Sequence, residues 1–226
     1  MSLRALGDRN KGRYRYSGRY DGGVAVYYYD DTPDGRVYSG QFWFKRRSYS
    51  IPHGKIVETV SGQYSGGLKK GRWTFTHKGG GMHSRLAVDY SEGRHEGKYK
   101  YFAVRRHSST DFVDGISRIS FSMSGDRPVG AVKGVFKGET LVGSYDSEGR
   151  PDGLWQVDSS KTDSCMIDYE VWEHGICREA YSVDVSTGTK RTDKAHITEF
   201  VASFVYRECL PLERLAGIGS GTWKGR

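Results

Sequence analysis

The amino-acid sequence predicts an all-β fold: an elongated single-layer antiparallel sheet of successive hairpins, followed by a C-terminal helix. Three observations carry this reading. The first is an internal repeat. Tyr64-Ser-Gly-Gly67-Leu-Lys-Lys-Gly71-Arg-Trp73 returns as Tyr90 to Tyr99, with Gly93 and Gly97, and again as Tyr145 to Trp155, with Gly149 and Gly153. Each copy reads aromatic, glycine, a second glycine four residues on, then an aromatic two residues later. The second is composition: 31 glycines and 16 tyrosines accompany a hydrophobic content of only 36% in 226 residues. So little apolar matter does not fill a thick two-sided core, and many aromatics are expected on half-exposed strands. The third is a change of period after Lys190. Ile197, Phe200, Val201, Phe204 and Val205 follow i, i+3, i+4, i+7, i+8, which is one helical stripe.

The repeat frame has a direct physical reading. Glycines supply the positive φ of tight turns, and aromatics at alternate positions share one face of a strand. Each copy is therefore a strand end, a turn and a new strand. Trp73 to Tyr99 spans 26 positions and Tyr99 to Trp155 spans 56. That interval leaves room for a degenerate copy, filled by Phe121 to Gly125 and Gly130 to Val132 with one extra residue between the glycines. A smaller token, Ser-Gly-x-aromatic, recurs at Ser17, Ser39 and Ser61, 22 positions apart each time. Val142-Gly-Ser-Tyr145 is a relative of it. A period of this size marks a repeat array.

In chain order, Arg13-Tyr14-Arg15-Tyr16 alternates, so a strand there presents arginines on one face and tyrosines on the other. Six basic residues stand against Asp8 between Arg4 and Arg19. Such a stripe either holds an anionic ligand beside aromatics or guards a sheet edge with charge. Val24 to Tyr29 and Phe42 to Lys45 are strands, and Asp30 to Gly35 is a turn by its Pro, Asp and Gly content. Lys78-Gly-Gly-Gly81 lacks the following Gly-Lys-Ser/Thr of a phosphate loop and reads as a hairpin turn. His77 and His83 are placed symmetrically about it and are expected to face each other, without a third metal ligand. Arg105 to Asp111 is a polar loop. Met166 to Gly175 is a returning strand and Ile176 to Val185 the last one. The helix is expected from Asp193 to Glu208, capped by Thr192 or Asp193 and stopped by Pro211, with Phe200 and Phe204 docked on the sheet. The chain thus divides at residues 1–190 and 191–226, the latter holding the helix and a Gly-rich tail packing on the sheet.

Cys165, Cys177 and Cys209 are odd in number and lack metal-type spacing, so they are expected to be reduced and semi-buried, with neither a disulfide framework nor a zinc site. No run of about 18 apolar residues is present, so no transmembrane segment is expected. The polar start favours a cytoplasmic location and leaves export after signal removal open.

The frame of aromatic, Gly, three residues, Gly, any residue and aromatic resembles the MORN repeat, and more closely its variant in bacterial antitoxin-component-like proteins. The resemblance covers roughly residues 13 to 185. It is carried by the copies at Tyr64, Gly67, Gly71 and Trp73; Tyr90, Gly93, Gly97 and Tyr99; and Tyr145, Gly149, Gly153 and Trp155. It implies a sheet of successive hairpins used as a scaffold for protein partners or, in eukaryotic members, membrane phospholipids. It brings no catalytic residues.

The functional expectation is therefore a noncatalytic protein-binding module, with no cofactor and no metal, using an aromatic and basic sheet face. The candidate binding residues are Arg13, Arg15, Tyr16, Arg19, Tyr28 and Trp43. The alternative partner is anionic lipid or nucleic acid, since the net charge is +8.

Overall fold

The computed structural model describes residues 13–51, 54–105, 116–136, 138–159, 165–192 and 196–215. Among them, fourteen strands pair in strict chain order in one open sheet of antiparallel hairpins. These are β1 (Arg13–Tyr20), β2 (Gly23–Thr32), β3 (Gly35–Ser50), β4 (Gly54–Ser65), β5 (Leu68–Gly79), β6 (Met82–Ser91) and β7 (Arg94–Arg105). There follow β8 (Ile116–Ser124), β9 (Arg127–Phe136), β10 (Glu139–Tyr145), β11 (Gly153–Asp158), β12 (Met166–Glu173), β13 (Ile176–Asp184) and β14 (Lys190–Arg191). The chain divides into two compact units. One holds the described residues of Met1–His95 and Leu212–Arg226, the other those of Glu96–Pro211.

The two glycines of the repeat do different work. In two copies the first sits in a two-residue turn whose central residues are both left-handed, Gly66 and Gly67 (φ 56° and 80°) and Glu92 and Gly93 (φ 50° and 80°), which matches the twist of the flanking strands; in the third, Gly149 (φ 83°) lies in a longer turn from Asp146 to Arg150. The second sits in a bulge. Ser61 pairs with Thr74 and Gln63 with Lys70, so Gly71 to Trp73 oppose Gly62 alone, with Gly71 at φ 64°. The same shift recurs at Gly40 between β2 and β3 and at Gly130 between β8 and β9. The copies that match the frame poorly thus keep its backbone. The residue two positions after each bulge glycine is buried: Phe42, Trp73, Tyr99, Val132 and Trp155 are between 0 and 2% exposed.

A single layer buries such residues by letting large rings cover one another. In the first unit Phe42, Tyr64 and Trp73 have ring centroids 4.8 to 5.8 Å apart. Phe44, Val60, Phe75, Leu86 and Val88 are fully buried on this same, closed face. In the second unit a helix covers part of it. Phe200 stands 4.5 Å from Phe136 and Phe204 stands 5.0 Å from Tyr101, ring centre to ring centre.

The helical segment differs from expectation at both ends. It comprises α1 (Ile197–Phe204), a π-helical stretch (Val205–Cys209) and α2 (Leu210–Glu213). His196 takes the N-cap position with no side-chain cap of its own, and Asp193 lies outside the described residues. The capping group comes from the sheet. Glu170 of β12 accepts from the backbone N–H of Ile197 (2.6 Å) and Thr198 (3.2 Å) and from Thr198 Oγ1 (3.0 Å), a carboxylate at the positive end of the helix dipole. Pro211 does not stop the helix. The wide π turn before it relieves the clash of the proline ring with the preceding turn, and helix continues to Glu213.

Three smaller expectations are also corrected. His77 pairs with Ser84 and His83 with Lys78, so the one-residue offset puts the histidines on opposite faces. Cys165 and Cys177 are exposed and Cys209 is buried, none of the three in a disulfide, so none is semi-buried. The sheet continues past Val185 into β14. Residues 106–111 of the polar loop and the Gly-rich tail from residue 216 lie outside the described residues.

Candidate binding face

Strand register sorts the candidate residues. Arg15 pairs with Tyr28, Arg19 with Val24, Val26 with Trp43 and Val24 with Lys45. Arg15, Arg19, Tyr28 and Trp43 therefore share the face opposite the closed one, and Arg13 pairs at the backbone with Asp30. Tyr16 does not join them. It pairs with Tyr27, stacks on its ring at 4.7 Å and donates from its hydroxyl to the Arg19 carbonyl at 2.6 Å. Its alternation with Arg15 sends it to the closed face.

The open face of β1–β6 is organised in rows. One runs Arg19, Val24, Lys45, Thr59, Thr76, Arg85; the next runs Val26, Trp43, Ser61, Thr74, Ala87; a third runs Arg47, Val57, Lys78, His83. Arg15, Arg19, Lys45, Arg47, Lys78 and Arg85 make no ion pair among the described residues. Their neighbours Arg46 and Arg72 are engaged, the first with Glu58 (2.7 Å) and Asp21 (3.8 Å), the second with Asp89 (2.8 Å). Six uncompensated cations on one face create a positive field there.

Beside the β1–β2 turn this face opens into a concavity of about 750 Å³. Arg19, Val24, Trp43, Lys45 and Arg47 line it together with the turn residues from Tyr20 to Gly23. Trp43 is 40% exposed and Val24 47%. Chemically the site offers long-range attraction for anions and an indole for stacking or apolar contact. The sequence reading missed Lys45, Arg47, Lys78 and Arg85. The signal was present in Trp43, Lys45 and Arg47, which stand at i, i+2 and i+4 of one strand.

The closed face of the first unit holds several titratable groups with displaced pKa values. Burial pushes the Tyr27 phenol up to about 12 and also raises those of Tyr38 and Tyr64. Lys69 is 8% exposed, with its ammonium 4.8 Å from the Tyr90 ring centre and 5.3 Å from that of Trp73. Burial lowers its pKa, and the Glu213 carboxylate opposes the shift. Burial pushes Glu213 upward, but hydrogen bonding to His95 and Tyr90 and the charges of His95 and Lys69 together leave it below the ordinary glutamate value. This cluster fastens the C-terminal end of the described chain to the first unit.

No helix among the described residues is long and apolar enough to cross a membrane, and no group of three or more His, Cys, Asp or Glu among them could hold a metal ion. No family model matches the chain, and no curated protein matches it.

Proposed function

We propose that the chain is a noncatalytic scaffold of MORN-like hairpin repeats that binds a protein partner through the open aromatic and basic face of β1–β6. One observation carries this reading: the closed face takes up the repeat aromatics, while the open face holds six cations without ion-pair partners among the described residues, three of them around a half-exposed tryptophan. Tryptophan and arginine are the side chains that most often dominate interface energies. Recovery of a partner from native lysate tests it. The unaltered chain should retain a protein that is lost when Arg19→Glu, Lys45→Glu, Arg47→Glu and Trp43→Ala are combined; equal recovery by both chains contradicts it.

The cations alone favour a second reading, the binding of anionic headgroups or nucleic acid. Added salt separates the two. Binding to an acidic polymer falls steeply with ionic strength through counterion release, whereas an interface with an apolar centre falls less.

A further inference from the structure

We infer that the concavity beside the β1–β2 turn is a socket for one apolar side chain of an acidic peptide segment, whose flanking carboxylates pair with Arg19, Lys45 and Arg47. The inference rests on the scaffold reading above and names the chemistry of its partner.

The socket is built into the chain. Its floor is the exposed part of Trp43 and Val24, and its wall passes through Gly23. A Cβ there would stand 2.5 Å from the Lys45 carbonyl oxygen and 2.8 Å from the Phe44 ring. A side chain there would meet the closed face, where Phe44 lies, so Gly23 contributes only backbone to the concavity. At about 750 Å³ the concavity falls in the size range of ligand pockets. An apolar floor ringed by cations suits a partner that carries both an apolar group and negative charge. The acid at the rim, Asp21, is outnumbered by the three cations Arg19, Lys45 and Arg47 that line the same concavity.

The same geometry disfavours other anionic partners. A nucleic-acid strand binds by stacking successive bases on successive aromatics, but the row of Trp43 continues as Ser61, Thr74 and Ala87. A bilayer is entered by apolar side chains on a projecting surface, and this apolar surface is recessed.

Fluorescence anisotropy with the full chain tests the assignment. The probe is a fluorescein-labelled nonapeptide of glutamates and aspartates around one central phenylalanine. The comparisons are the same peptide with glycine at its centre, labelled oligothymidylate, and vesicles containing phosphatidylserine. The phenylalanine peptide should bind about tenfold more tightly than the glycine peptide. Trp43→Ala, and separately the combined Arg19→Glu, Lys45→Glu and Arg47→Glu, should each weaken it by about tenfold or more. Charge reversal at Lys78 and Arg85, on the same face but outside the socket, should change it less than about threefold. Unchanged melting temperatures keep these losses attributable to the site.

Equal affinity for the two peptides, equal loss from reversal at Lys78 and Arg85, or no measurable peptide binding overturns the inference. So does tighter binding of oligothymidylate or vesicles than of the phenylalanine peptide. If the lysate partner is lost with the combined Arg19, Lys45, Arg47 and Trp43 variant but the peptide results fail, the acidic-peptide chemistry is wrong and the scaffold reading stands. If the partner is retained by that variant, the scaffold reading itself fails.

Discussion

The indole of Trp73 occupies the space that a side chain at Gly62 would need: a Cβ at Gly62 would stand 2.1 Å from the ring. Trp155 has the same relation to Gly143, at 2.3 Å. In both places the indole N–H donates to the carbonyl of the residue after the glycine, Gln63 or Ser144, at 3.1 Å. In both, the next tyrosine stands edge-on to the indole, Tyr64 at 4.8 Å and Tyr145 at 5.1 Å. The token Gly-x-Tyr on one strand and the Gly-x-Trp on the next are two halves of a single packing unit.

Substituting either glycine is therefore expected to displace a fully buried ring. Gly62→Ala or Gly143→Ala should cost about 2 to 3 kcal/mol by overpacking, and Trp155→Ala about 3 to 5 kcal/mol by leaving a cavity. Urea unfolding of Gly62→Ala, Trp73→Leu and the double variant measures the coupling. The glycine substitution should cost less once the indole is gone, by at least about 0.5 kcal/mol. Strict additivity would show that the ring does not fill this space.

Glu170 is 2% exposed and also accepts from the indole N–H of Trp172 at 2.9 Å. Glu170→Ala would leave the first amides of α1 without acceptors, at a cost of about 2 kcal/mol, and Glu170→Gln should cost less. Hydrogen exchange at Ile197 and Thr198 should quicken in Glu170→Ala before exchange in β12 does. Unchanged exchange at these two amides would contradict the capping role.

Asp146 provides a pH dependence. The backbone N–H of Arg150 holds its carboxyl down at about 2, opposed by partial burial and assisted by the Arg150 guanidinium and the backbone N–H of Glu148. Its folded pKa lies below the unfolded value near 4. The stability it lends is thus complete above about pH 4 and lost as pH falls towards about 2. The melting temperature should fall more steeply across that window in the unaltered protein than in Asp146→Asn. Parallel slopes would show that the β10–β11 turn does not depend on this carboxylate.

Truncation before Thr192 removes α1 together with Glu213. It should uncover Phe136 and Tyr101 and leave the Lys69 charge buried without its carboxylate. Lower stability and binding of a hydrophobic dye are expected. A truncated chain equally stable and dye-negative would show that the helix does not cover the sheet.

The sheet and its turns were legible because their signals are local. Period-2 aromatics and glycines four apart specify strand end, turn and new strand within a dozen residues; the bulge at the second glycine, kept even in the poorly matching copies at Gly40 and Gly130, emerged only from the strand register. What escaped the sequence depends on residues distant along the chain. The cap on α1 comes from Glu170, 27 residues before Ile197. Helix continuity through Pro211 depends on a π turn that the apolar stripe does not encode. Arg15 and Tyr16 were correctly assigned to opposite faces, but which face closes is decided by Tyr27 and Phe42 on later strands. The concavity could not be read at all, since it needs β1, β2 and β3 side by side.

The division of each strand into a closed and an open face is tested most directly at neighbouring residues of β4. Val60 is fully buried and Ser61 is exposed. Val60→Cys and Ser61→Cys, each in a chain whose native cysteines are replaced, are exposed to a maleimide under native conditions, and the labelling rate is compared with that of the same chain in denaturant. Ser61→Cys should label within about tenfold of its denatured rate, and Val60→Cys at least about a hundredfold more slowly than its own, because its reaction waits on local opening. Comparable native rates at the two positions would contradict a closed face and an open one, and with them the surface on which recognition is proposed.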